Sequence, residues 1–112
     1  MSQLTTHILD TTLGKPAAGV TIKLYKALAN DQTFIAEGVT NADGRIPDLL
    51  PADSTLELGN YWMVFEVAPY FLKQGTKSFY PIIEIAFTID SAEHYHVPLL
   101  LNPFGYSTYR GS

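Results

Sequence analysis

At 112 residues the chain has the size of one domain, 1–112, and should bury roughly two-thirds of its unfolded surface, enough for a core without staples. Apolar content of 46 % against 16 % charged excludes disorder, and a net charge of −4 with seven scattered basic residues excludes a nucleic-acid footprint. Zero cysteines exclude disulfides and thiolate metal sites, and no window approaches the ~18 apolar residues of a membrane span.

Alternation with a period of two runs through almost the whole chain. Leu4–Asp10 reads as a short strand, followed by the Gly14-Lys15-Pro16 break. Val20–Tyr25 is a second, with Val20, Ile22 and Leu24 inward and Thr21 and Lys23 outward. Phe34–Thr40 follows Asn30-Asp31 and leads into Asn41-Ala42-Asp43-Gly44, a turn whose glycine accepts positive φ without strain. A brief strand is expected near Arg45. Past Pro51-Ala52-Asp53, Gly59–Val67 places Tyr61, Met63, Phe65 and Val67 on one face. One short helix is predicted over Tyr70–Gln74, stopped by Gly75 as a C-cap. Glu84–Ile89 repeats the alternation, with Ile83, Ile85, Phe87 and Ile89 toward the core. His94–Leu101 and Tyr106–Arg110 complete the set, separated by Asn102-Pro103-Phe104-Gly105. Because Pro98 cannot donate to a ladder, its strand is expected to be an edge or bulged there. Seven or eight short strands divided by such turns make an all-β chain, a β-sandwich with one short helix.

The end of the chain is the least ordinary part. Chain ends usually fray, and packing does not require Tyr109-Arg110-Gly111-Ser112 there. If the alternation continues, Arg110 and Ser112 project to one face and Tyr109 to the other. His94 and His96, two of only three histidines, also share one strand face. Low charge with seven Tyr and six Phe suggests that a partner copy covers part of the surface, since interfaces are depleted in charge and enriched in aromatics.

Five segments together resemble the transthyretin-related proteins that hydrolyse 5-hydroxyisourate. They are Thr6-His7-Ile8-Leu9-Asp10-Thr11, Gly14 to Val20, Asn41-Ala42-Asp43-Gly44-Arg45, His94-Tyr95-His96-Val97-Pro98-Leu99-Leu100, and the terminal Tyr109-Arg110-Gly111-Ser112. They stand in the right order over essentially the whole chain, and the terminal tetrapeptide is the most specific. Vertebrate transthyretin looks similar over the strands but does not end this way. Asp53–Leu58 and Ile82–Ala86 are less typical of the family. The resemblance implies a transthyretin-like sandwich of eight strands and one helix, assembled as a homotetramer, a dimer of dimers, around a central channel that holds the active sites. It also implies opening of the six-membered ring of 5-hydroxyisourate at its amide, downstream of urate oxidation, with no cofactor.

That chemistry needs an activated water, groups to stabilise an oxyanion, and something to hold a flat polar ring. Histidine suits the first task because it titrates near working pH. By the resemblance, His7 and His96 orient and deprotonate water, with His94 either a supporting neighbour or simply solvated. Arg45 offers a planar guanidinium for substrate carbonyl oxygens and developing charge. Tyr109 provides a ring and a hydroxyl. Arg110 is a second cation for the substrate, or equally a counterion for the terminal carboxylate. Gly111 and Ser112 complete the substrate-binding set. Ser112 is placed among the catalytic residues as a positioning group, since no Ser-His-Asp order is present to make it a nucleophile.

Two other readings compete. One is a non-catalytic small-molecule carrier, against which His7 and the terminal tetrapeptide speak. The other is a zinc hydrolase, because His-x-His plus a distant His is a legitimate ligand pattern with an open fourth position; no carboxylate supports it, and no metal is assigned. Met1–Asp10 lacks the basic start and apolar stretch of a secretory signal, so the expected location is cytoplasmic, or periplasmic if a signal has been removed.

Overall fold

The computed structural model describes residues 2–111. Eight strands and one helix follow in the order β1 (Leu4–Asp10), β2 (Lys15–Pro16), β3 (Thr21–Ala27), β4 (Gln32–Val39), β5 (Gly59–Glu66), α1 (Ala68–Lys73), β6 (Ile83–Ile89), β7 (Tyr95–Asn102) and β8 (Gly105–Thr108). They form two four-stranded sheets, β2-β1-β7-β8 and β4-β3-β5-β6. The all-β sandwich with a short helix is therefore what the alternation predicts.

Each strand contributes every second residue to the space between the sheets, which is why the period of two is so clear. Leu4 and Ile8 of β1, Ile22 and Leu24 of β3, Tyr61, Met63 and Phe65 of β5, and Leu99 and Leu101 of β7 are almost fully buried. Fully burying such a side chain stabilises the fold by about 1.5–3 kcal/mol. Ile83, Ile85 and Ile89 are buried as expected, while Phe87 is half-buried and stacks on Tyr61. The helix ends where predicted: Gly75 has φ +66°, and its N–H and that of Thr76 bond back to Leu72 and Phe71.

Two expectations are corrected. No strand forms near Arg45. There Asn41 Oδ1 accepts from the Asp43 and Arg45 amides, and the Asn41 amide donates to the Arg45 carbonyl, so these groups are spent inside a turn. The additional short strand is instead β2, paired antiparallel with the end of β1.

The other correction concerns Pro98. The strand that carries it, β7, is interior, parallel to β1 and antiparallel to β8. The missing donor interrupts the β7–β8 ladder without moving the strand to an edge. Named pairing stops at Leu99↔Thr108 and resumes as a single bridge at His96↔Gly111, in one unbroken register that sets Pro98 opposite Tyr109. Thr108 Oγ1 donates to the Pro98 carbonyl at 2.7 Å and holds the gap closed.

Candidate active site

The outer face of the β1–β7 pair gathers the chemistry. In β1, Thr6, Ile8 and Asp10 point inward, so Thr5 and His7 point out. In β7 the buried Tyr95 and Val97 leave His94 and His96 on that same outer face. The parallel register pairs Thr5 with His96 and His7 with Pro98, making His7 and His96 diagonal neighbours on adjacent strands. Both imidazoles are half-buried.

Arg45 arrives from the long connection between β4 and β5, two strands of the other sheet. Gly44, at φ +72°, lets its turn press flat onto β1, and its carbonyl accepts from the Ile8 amide at 2.9 Å. A Cβ at position 44 would come within 2.5 Å of the Ile8 carbonyl oxygen and 3.1 Å of Pro16 Cβ, so only glycine allows this approach. The turn thereby delivers the exposed Arg45 beside His7.

Electrostatics follow from that placement. His7 is held below the ordinary value of 6.5, first by burial and then by the Arg45 charge, while a hydrogen bond to the Asp43 backbone opposes the shift. His96 is lowered by burial, by Arg45, and by the neighbouring His94 and His7. Two imidazoles shifted toward the neutral form beside the Arg45 guanidinium combine proton acceptors with an anion-stabilising group. Among the described residues no cluster of three His, Asp or Glu side chains is arranged to hold a metal ion.

The terminal segment divides. In the His96↔Gly111 register Tyr109 belongs to the histidine side of the sheet, and it is 59 % exposed. Gly111 donates to the His96 carbonyl at 2.9 Å and lies flat on that imidazole; a Cβ there would come within 2.5 Å of its Cδ2. Arg110 turns away from the histidines. Its guanidinium bonds Glu93 Oε1 at 2.6 Å and lies 4.4 Å from the centre of the Tyr95 ring, which belongs to the inward face. Tyr95 in turn donates to Asp90 at 2.7 Å. Arg110 thus borders a groove of about 290 Å³ between the edges of the two sheets, lined also by Ile85, Phe87 and Thr108. Ser112 lies outside the described residues.

Within the His7 motif the neighbours prove structural. Thr6 Oγ1 donates to the Val97 carbonyl, tying β1 to β7. The buried Asp10 accepts from the Thr12 and Leu13 amides and from the Tyr70 hydroxyl at 2.7 Å, anchoring α1 to the end of β1. Burial, followed by that bond to Asp10, pushes the Tyr70 hydroxyl up to about 12. Sequence reasoning missed Thr5, whose hydroxyl contacts both His94 and His96. The signal was available, since Thr5 stands two residues before His7 and shares its strand face.

Residues 4–111 match the model of the HIUase/Transthyretin family. The 5-hydroxyisourate hydrolase of Mesorhizobium japonicum is 47 % identical over 98 % of this chain and 92 % of its own length. The solved structure of Klebsiella pneumoniae 5-hydroxyisourate hydrolase superposes with a TM-score of 0.85 at 40 % identity, covering 99 % of this chain and 100 % of that one. Sea bream transthyretin in complex with thyroxine gives a TM-score of 0.89 at 34 % identity, covering 97 % and 94 % respectively. With its sandwich topology and near full-length match, the chain belongs to the HIUase/Transthyretin family.

Proposed function

We propose that this protein is a hydrolase that opens the ring of 5-hydroxyisourate at its amide in urate breakdown. One observation carries the mechanism: two imidazoles shifted toward the neutral form lie beside the Arg45 guanidinium on a single sheet face. Water held by His7 and His96 loses a proton to an imidazole nitrogen as its oxygen adds to the ring carbonyl. Arg45 stabilises the oxyanion that forms. The C–N bond then breaks and the leaving nitrogen takes up the proton. Tyr109, Gly111 and Ser112 hold the flat ring, and the backbone contact of Gly111 keeps His96 in place. Arg110 supports the segment through Glu93 and Tyr95, so its contribution to substrate binding runs through the placement of Tyr109 and Gly111.

The assembly belongs to the same proposal. In a single chain the histidine face is open, and Arg45 and Tyr109 stand in solvent. A homotetramer built as a dimer of dimers encloses that face, and closed symmetry is the usual outcome for a self-complementary surface. Light scattering at micromolar concentration should give roughly four times the 12.4 kDa chain mass; a monomeric mass would contradict it.

The test of function is an absorbance assay with freshly generated 5-hydroxyisourate, in which the protein should accelerate its loss above the buffer rate. Absence of acceleration, with an aromatic ligand bound, would favour the carrier reading. The rate should also depend on pH in a definite direction. Only neutral imidazole accepts a proton, and both histidines are shifted below 6.5, so they remain neutral to lower pH than free histidine does. Activity should therefore be flat near neutrality and fall only below pH 6.5. A half-maximal point above that value would show that the environment does not act as described.

A further inference from the structure

The Thr5 hydroxyl sits between two imidazoles, 2.9 Å from His94 Nε2 and 2.8 Å from His96 Nδ1. A hydroxyl carries one proton and can accept from others. With one ring as donor and the other as acceptor, Thr5 accepts N–H from the first and donates to the second. Two arrangements satisfy both contacts. In one, Thr5 donates to His96 Nδ1, which puts the His96 proton on Nε2 and leaves that ring no free lone pair. In the other, His96 donates from Nδ1 to Thr5, and Thr5 donates onward to His94 Nε2. His96 Nε2 is then bare.

We infer that Thr5 is a positioning residue that holds His96 in its Nδ1–H form, with His94 as the terminal acceptor of the chain, so that His96 Nε2 faces the substrate as a base. The inference rests on the hydrolase reading above and deepens it. Of the two arrangements only this one leaves His96 a free lone pair at Nε2, which the base role proposed above requires. Thr5 and His96 are register partners, so the two groups meet without strain in either strand. The Gly111 backbone lies against the Cδ2 side of the ring, across from the Nδ1 that meets Thr5. The ring is thus held between Gly111 on one side and Thr5 on the other, and the Thr5 hydroxyl sets its tautomer. This also gives His94 a role that its own position, one step further out, does not suggest.

The proton balance is simple. His96 Nε2 takes the proton that water gives up as the carbonyl is attacked. The resulting imidazolium keeps its Nδ1–H bond to Thr5, and Nε2 returns the proton to the leaving nitrogen. No proton has to pass through Thr5 or His94, which act by setting where the lone pair lies.

Two measurements test this, one independent of turnover. Nitrogen chemical shifts of the histidine rings near neutral pH should show a protonated Nδ1 and a bare Nε2 for His96 in the intact protein. In Thr5→Val, which keeps shape and β-branching but removes the hydroxyl, the Nε2–H form should appear. Turnover in Thr5→Val should drop on the order of 10–100-fold in kcat with KM little changed, the size expected for losing a group that orients a functional histidine. Thr5→Ser should restore most of the rate, since the hydroxyl returns. A protonated Nε2 on His96 in the intact protein would overturn the inference, as would a Thr5→Val variant with unchanged kcat. If Thr5→Val does not fold, the ring shifts of the intact protein still decide. If the intact protein shows the Nδ1–H form but no activity toward 5-hydroxyisourate, the hydrolase reading fails and the tautomer assignment stands.

Discussion

A chain ending at Thr108 should lose 5-hydroxyisourate turnover, by on the order of 10²-fold or more, while keeping its fold. The fold survives because the truncation falls just beyond the last strand. The four β7–β8 pairs from Leu99↔Thr108 to Asn102↔Gly105 remain, as does the bond from Thr108 Oγ1 to the Pro98 carbonyl. Among the described residues removed, none belongs to the core. The Arg110–Glu93 pair is exposed, and such pairs contribute little to stability. Catalysis is affected differently. The deletion takes away the Tyr109 ring on the histidine side and the Gly111 amide that donates to the His96 carbonyl. It also removes the backbone that lies against the His96 ring. Positioning to within about half an ångström is what an assembled site depends on, so a freed His96 loses most of its value as a base. Circular dichroism should report an unchanged sandwich, and the absorbance assay should report the loss. Undiminished turnover in the shortened chain would remove the terminal segment from the mechanism.

His7→Ala and His96→Ala should each lower kcat/KM by about 10²–10⁴-fold, the range general acid–base catalysis contributes. The two variants are expected to differ in what else they disturb. His96 bonds Thr5 and packs against Gly111, so its removal also unsettles the terminal segment. His7 faces the Asp43 turn, so its removal leaves Arg45 without the neutral ring beside it. Neither side chain enters the space between the sheets, so thermal unfolding should shift by little, at most the ~1 kcal/mol of a typical hydrogen bond. If both variants turned over substrate at near wild-type rates, water activation would have to come from elsewhere. If the double variant were no slower than either single one, the two histidines would be acting as one unit on the same water.

The sandwich was legible in the chain because its cause is local. A strand with one buried face writes that face into every second residue, and Val20-Thr21-Ile22-Lys23-Leu24 or Tyr61 to Val67 can be read without knowing their partners. The Asn41–Gly44 turn and the Gly75 helix stop were legible for the same reason, since both depend on what a residue does to its own backbone. The histidines stood out by scarcity and by sharing a strand face. What alternation does not contain is which strand lies beside which. That β7 runs parallel to β1 in the interior of a sheet, and so brings His96 next to Thr5 and diagonal to His7, is settled by the packing of the two sheets as a whole. The expectation of an edge at Pro98 failed on that point. A proline forbids one donor on one side, and the sheet met the condition by interrupting a single ladder. Arg45 illustrates the same division. The sequence by itself determines a turn at Asp43-Gly44, but the approach of Gly44 to Ile8 joins residues 36 positions apart and sets the guanidinium beside the histidines. Arg110 and Tyr109, adjacent in the chain, part company because neighbouring residues of an extended backbone face opposite ways. Only the register with His96 decides which of the two turns toward the site.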